Sequence, residues 1–187
     1  MQVKADFTFI EPAKFGFFTS RTASENTAAM LNAIAYAMAN KKKIQHYIGG
    51  YFNINPISVD GHTYDNLVWE CPRSLVTLVS SDASSPAIQF IGTASDTFQY
   101  PTFRGSRVSS PYTCIDTANT EHLTLEQLIL IGGGKGITQS LDANETDIKP
   151  VIRDIIFSGC SNAYKSGDTR VADAIFENWK AMNCVLS

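Results

Sequence analysis

The chain has 187 residues, of which 44% are hydrophobic and 18% charged, and a formal net charge of -3. That composition supports one folded domain with a sizeable core and excludes a disordered polymer. Lys41, Lys42 and Lys43 form the one basic cluster, which argues against a nucleic-acid footprint or an anionic membrane surface as partner and leaves a neutral one.

The N-terminal stretch to Phe18 is rich in phenylalanine and predicts a short strand or extended arm. Thr22-Ala-Ser-Glu25 then spells a capping box, in which the threonine hydroxyl and the glutamate satisfy each other's orphan backbone donors. Thr27, Met30, Leu31, Ile34, Ala35 and Met38 follow at helical spacing, so a helix is expected from Ala23 to Asn40. After Gly49-Gly50 the pattern becomes that of strands, with apolar runs at 51–59, 66–70, 75–79, 88–91, 123–131, 151–157 and 171–176 between Gly, Ser, Asp, Asn and Pro clusters.

Three of those runs share a phrase: L-E-Q-L-I-L from Leu125, I-R-D-I-I-F from Ile152 and V-A-D-A-I-F from Val171, spaced by 27 and 19 residues. A repeat of that length marks a solenoid, in which each unit buries its apolar face only by stacking on its neighbours. Gln127, Asp154 and Asp173 share one position of the phrase, so they are expected to stack. An open solenoid end needs a cover, which the helix can supply at the N-terminal end. The expected division is an arm with capping helix over 1–45 and parallel coils over 46–187, a single domain that ends without a cap, as a fragment would. No apolar signal sequence opens the chain. Cys71, Cys114, Cys160 and Cys184 show no C-x-x-C pair and no histidine at metal-ligand spacing; reduced, partly buried thiols are expected, with no metal and no cofactor.

The run from Phe15 to Ala37, with Asn26-Thr27-Ala28-Ala29, followed by Gly50-Tyr51, resembles the opening of pectate-lyase-like right-handed parallel β-helix proteins. Such proteins usually carry an Asp-Gly before the helix and a proline before the first strand glycine; this chain has neither. The resemblance implies an all-β right-handed parallel β-helix with one N-terminal capping helix. It further implies a phage tailspike or depolymerase that recognises, and in catalytic versions degrades, bacterial surface polysaccharide. Such a protein works as a homotrimer beside other virion tail proteins, without nucleic acid or membrane insertion. A stand-alone extracellular lyase or glycoside hydrolase, and a non-catalytic virion adaptor, are the other readings.

Glycan hydrolysis commonly uses two carboxylates. Asp154 and Asp173 are the first candidates, on the expectation that they lie one strand spacing apart, about 4.8 Å. A bend position where Asp, Asn or Gln bonds the backbone of a turn explains them equally. Glu177 beside Trp179, with Tyr164, forms a second cluster, since aromatic faces stack on pyranose rings; an edge of the last coils or a trimer contact is the alternative. Arg153 is suggestive beside Asp154, and Lys135, Lys149 and Arg170 complete the basic groups open to a lyase. Asp142, Glu145 and Asp147 lie in an insertion of the kind that builds a binding face, or that is merely solvated. Gly132-Gly-Gly-Lys135-Gly136 lacks phosphate-loop spacing and reads as a turn.

Overall fold

The computed structural model describes residues 9–60, 65–71, 75–93, 95–140, 144–167 and 171–184. Three parallel sheets of 11, 5 and 4 strands and one α-helix, Ala23–Ala39, make up the architecture. The chain visits the sheets in rotation. Thr124–Ile131 in the first sheet leads to Lys135–Gln139 in the second and Asp147–Ile148 in the third, then returns to the first as Val151–Ser158. Each strand pairs in parallel with its counterpart one pass later.

Because side chains alternate across a strand, in-register stacking gives columns of like side chains. Ile44, Trp69, Phe103, Leu125, Ile152 and Phe176 form one inward column of the first sheet. Phe52, Leu78, Val108, Leu130 and Phe157 form the next, and Ile57, Ile88, Ile115 and Ile137 line the second sheet. Nearly all are fully buried, each contributing about 1.5–3 kcal/mol of apolar burial.

The corners repeat as well. Asn66, Tyr100, His122, Lys149 and Asp173 all have positive φ, and the backbone N–H of each of the first four donates to a carbonyl one pass on. Gly105, Gln127, Asp154 and Asn178 make a second such column, within the first sheet. There Gly105 is required, because a Cβ would collide with the Cys71 carbonyl.

These columns correct one expectation. Leu125 pairs with Ile152 as the phrases predict, but Ile152 pairs with Phe176, so the last step is 24 residues rather than 19. Asp154 therefore stacks with Asn178, whose Nδ2 donates to Asp154 Oδ1 at 3.0 Å, and Asp173 aligns with Lys149. The phrase from Val171 straddles two sheets. Its Asp173 turns the corner between the third and first, whereas Asp154 bends a strand inside the first. The same left-handed chemistry at two different corners produces the sequence likeness.

The helix forms as its capping box predicts: the Thr22 hydroxyl accepts from the Glu25 amide at 3.3 Å and the Glu25 carboxylate accepts from the Thr22 amide at 2.9 Å. Ala29, Met30, Ala33, Ile34 and Ala37 are buried beneath it. Docking is polar and specific. Buried Asn26 accepts from the Phe18 amide and donates to the Asn53 carbonyl, both at 3.0 Å, while the Thr27 hydroxyl donates to the Asn55 carbonyl at 3.1 Å and accepts from its amide at 2.9 Å. Nearby, His46 sits among Phe17, Phe52 and Trp69, and its Nε2 accepts from Trp69 Nε1 at 3.0 Å. Burial pushes its pKa down to about 3, so the folded protein holds it neutral.

Two outcomes follow. Asn26→Ala leaves the Phe18 amide and the Asn53 carbonyl without their partner and should cost about 1–3 kcal/mol in urea unfolding. The unfolded chain protonates His46 near pH 6.5 and the folded one does not until about 3, so stability present above pH 6.5 is lost on acidification, about 2 kcal/mol by pH 5 from this group. His46→Gln should flatten that slope in unfolding curves taken across the same range.

Candidate functional site

The outward column of the second sheet runs Ser58, Gln89, Asp116, Thr138 and Lys165. Asp116 sits at its centre with both carboxylate oxygens engaged. Gln89 Nε2 donates to Oδ2 at 3.1 Å, and the Thr138 hydroxyl donates to Oδ1. Gln89, Asp116 and Thr138 form the floor of a cleft of about 300 Å³, a volume at the small end of ligand sites.

Its walls come from three places. Ser84, Ser85 and Pro86 belong to a loop built on Asp82, whose Oδ1 accepts from the Ser84 and Ser85 amides at 2.7 and 2.8 Å. Those bonds hold the Asp82 carboxyl below its ordinary pKa. Tyr112 and Lys135 stand at the upstream edge, with the Lys135 ammonium 5.8 Å from the Tyr112 ring centroid, a cation–π distance. Glu145 arrives from the insertion between the second and third sheets.

A buried clamp sets the position of Glu145. Asp147, two residues on, points inward and is fully buried. One oxygen accepts from the Thr120 amide and hydroxyl at 2.9 and 2.8 Å; the other accepts from the Thr117 hydroxyl at 2.6 Å and Gln139 Nε2 at 3.2 Å. The Thr146 amide donates to Asn119 Oδ1 at 3.0 Å. Burial raises the Asp147 pKa above its ordinary value, against the lowering effect of the Thr117 and Thr120 donors. The reading of Asp147 as a solvated loop acid is corrected: the interior turns polar at this level, and the acid fills it.

Of the residues singled out from sequence, Lys135 and Glu145 line this cleft; the others lie elsewhere. Glu70, Arg104, Glu126, Arg153 and Glu177 form one outward column of the first sheet, alternating in charge. Arg104 reaches Glu70 at 2.6 Å and Glu126 at 3.8 Å, and Arg153 reaches Glu126 at 3.0 Å. Arg153 and Glu177 thus belong to a charge ladder. Tyr164 and Trp179 do come together, with Phe176, at ring separations of 5.0 to 5.3 Å, but they pack against the core rather than forming an outer platform. The Tyr164 hydroxyl donates to Gln139 Oε1 at 2.7 Å and Trp179 Nε1 to the Ile152 carbonyl at 3.0 Å. Asp154 and Asp173 occupy different corners and do not form a pair. Asp142 and Arg170 lie outside the described residues. Asp116, Gln89, Tyr112 and Thr138 were missed from sequence. The signal was the alternation in T-C-I-D-T-A, which puts Asp116 opposite Ile115. Among the described residues no group of His, Cys, Asp and Glu is placed to hold a metal ion.

No family model matches the chain, and no curated protein matches its sequence. Among solved structures it is similar to a protein of Parabacteroides merdae described as a "putative glycosyl hydrolase", with a TM-score of 0.57 and 14% identity over 92% of this chain and 95% of the other. The likeness is one of fold. It spans nearly the whole of both chains.

The clamp carries a testable consequence. Asp147→Ala strands the Thr120 amide in the interior and should cost about 1–3 kcal/mol. Amide hydrogen exchange should rise at Thr120 and Thr146, with the helix unaffected.

Proposed function

We propose that the three parallel sheets form a right-handed β-helix whose second-sheet cleft binds and hydrolyses a bacterial surface polysaccharide. The observation that carries the reading is the convergence of Asp116 and Glu145 in one cleft with Tyr112, Lys135, Gln89 and Thr138. Hydroxyl, amide and carboxylate groups suit sugar hydroxyls, and an exposed ring offers a face to a pyranose. Two carboxylates are what glycosidic cleavage requires: one protonated toward the leaving oxygen, the other ionised toward water or the anomeric carbon. Asp116, fixed on the cleft floor by Gln89 and Thr138, suits the base or nucleophile. Glu145, at the rim, suits the acid. The fold likeness to a protein described as a glycosyl hydrolase supports a carbohydrate role.

Lys135 in the same cleft favours a second reading, a lyase in which its amine abstracts a proton beside a uronate carboxylate. The tailspike setting, with a homotrimer, tail-protein partners and a place in the virion, rests on the resemblance of Asn26-Thr27-Ala28-Ala29 and Gly50-Tyr51 to tailspike openings.

The test is incubation of the purified chain with bacterial capsular and lipopolysaccharide preparations, reading binding, reducing ends and unsaturated uronates, with mass in solution on the same sample. New reducing ends lost in Asp116→Asn and Glu145→Gln are expected, with Tyr112→Ala weakening binding about 10-fold, as loss of one ring contact implies. Unsaturated products lost in Lys135→Met would establish the lyase. Absence of binding by the folded chain, or binding indifferent to all these changes, would overturn the reading; a monomeric mass would remove the trimer.

A further inference from the structure

The proposed cleft leaves one reactive cluster unused. Ser158 pairs with Met182, so the chain then turns through Gly159 and Asn183, both at positive φ, and delivers Cys160 and Cys184 to equivalent positions of successive passes. The Gly159 amide donates to the Met182 carbonyl at 3.0 Å, and the Cys160 amide donates to Cys184 Sγ at 3.3 Å. Neighbours one parallel-strand spacing apart, about 4.8 Å, fall inside the Cα separation a disulfide spans. Cys160 is buried and Cys184 half-buried. Cys114, wholly buried, lies against Cys160 from the other side, and its Sγ points to the Val108 and Ile131 carbonyls, each at 3.5 Å. Cys71 stands apart, near Ser106 and Trp69.

We propose that Cys160 and Cys184 form an oxidation site that takes hydroperoxides and closes into a disulfide, tying the pass at 175–184 to the one before it. The chemistry balances. Cys184, the more exposed thiol, attacks hydrogen peroxide as its thiolate; the O–O bond breaks, sulfur takes one oxygen as a sulfenic acid, and the other leaves as hydroxide, which takes up the proton the thiol released and becomes water. The Cys160 thiolate then attacks Cys184 sulfur, the S–O bond breaks, and the departing hydroxide takes a proton to become a second water. Two thiols and one hydrogen peroxide give one disulfide and two waters. In the reduced protein the neighbouring Cys114 and Cys184 thiols favour the Cys160 thiolate against its burial, bringing its pKa down to about 7. Burial holds Cys71 in the unreactive thiol form.

The register gives the cross-link its effect. Oxidation fixes two adjacent passes in the alignment they already have, so the cross-link should slow their separation without moving the sheets. A protein assembled in a reducing compartment and released into an oxidising one would gain the tie on release.

The test treats the folded, reduced full chain with stoichiometric hydrogen peroxide, quenches with a thiol alkylator under denaturing conditions, and maps the peptides by mass. The expected result is loss of two hydrogens per chain, a Cys160–Cys184 linked peptide, and alkylated Cys71 and Cys114. Cys160→Ser should leave a sulfenic acid at Cys184 that dimedone traps, while Cys184→Ser should leave Cys160 unmodified. A linkage involving Cys114, a linkage between chains, or four alkylated cysteines after treatment would overturn the proposal. Both serine variants are checked for native circular dichroism, and the wild-type mapping decides the matter alone if either fails to fold.

Discussion

Every pass of this chain must turn its corners at the same places as the pass beneath it. A pass is too thin to bury its own apolar face, so its stability comes from neighbours, and those neighbours align only if the bends do. Twelve described residues other than glycine hold positive φ to achieve this, at about 1–2 kcal/mol each for a side chain with Cβ. Continuous parallel pairing and in-register apolar columns offset that cost. Asn and Asp recur at the corners because their short polar side chains tolerate the conformation best. Extra residues can be accommodated only between the sheets. The Ser84–Pro86 loop and the Glu145 insertion sit there, so the constraint that regularises the sheets also decides where a cleft can be built.

The interior changes character along the stack. Val59 and Phe90 fill one inward column of the second sheet at its early passes, and Thr117 and Gln139 continue it. Polar side chains inside a core are tolerated only when every donor and acceptor is matched, and Asp147 does the matching. Four donors from three residues converge on it, and the Tyr164 hydroxyl completes the Gln139 amide. An apolar column would bury more surface, but it would not fix the segment beside Glu145 in one place. The network couples the deep interior to the outer wall of the cleft through two residues of backbone.

Much of the fold was legible. Thr22 and Glu25 marked the helix start, and the Leu125 and Ile152 phrases aligned residue for residue. The Val171 phrase misled because its aspartate bends a different corner, and a single sequence does not say which sheet a corner joins. Strands such as Thr102–Arg104, Arg107–Ser109 and Asn162–Ser166 escaped notice because they are short and rich in Thr, Ser, Arg and Lys; neighbours above and below pair them, not their own propensity. Asp116 was hidden for the same reason. Its importance lies in Gln89 and Thr138, which are remote in sequence and meet it only through the register.

The charge ladder on the first sheet has a consequence for how such a chain can change length. Glu70, Arg104, Glu126, Arg153 and Glu177 alternate in sign from pass to pass. Removing one pass would place like charges in direct contact, Glu70 on Glu126 or Arg104 on Arg153, whereas removing two restores the alternation. The repeat unit set by backbone geometry is a single pass, but the unit set by electrostatics is a pair, so a stack of this kind is most easily lengthened or shortened two passes at a time.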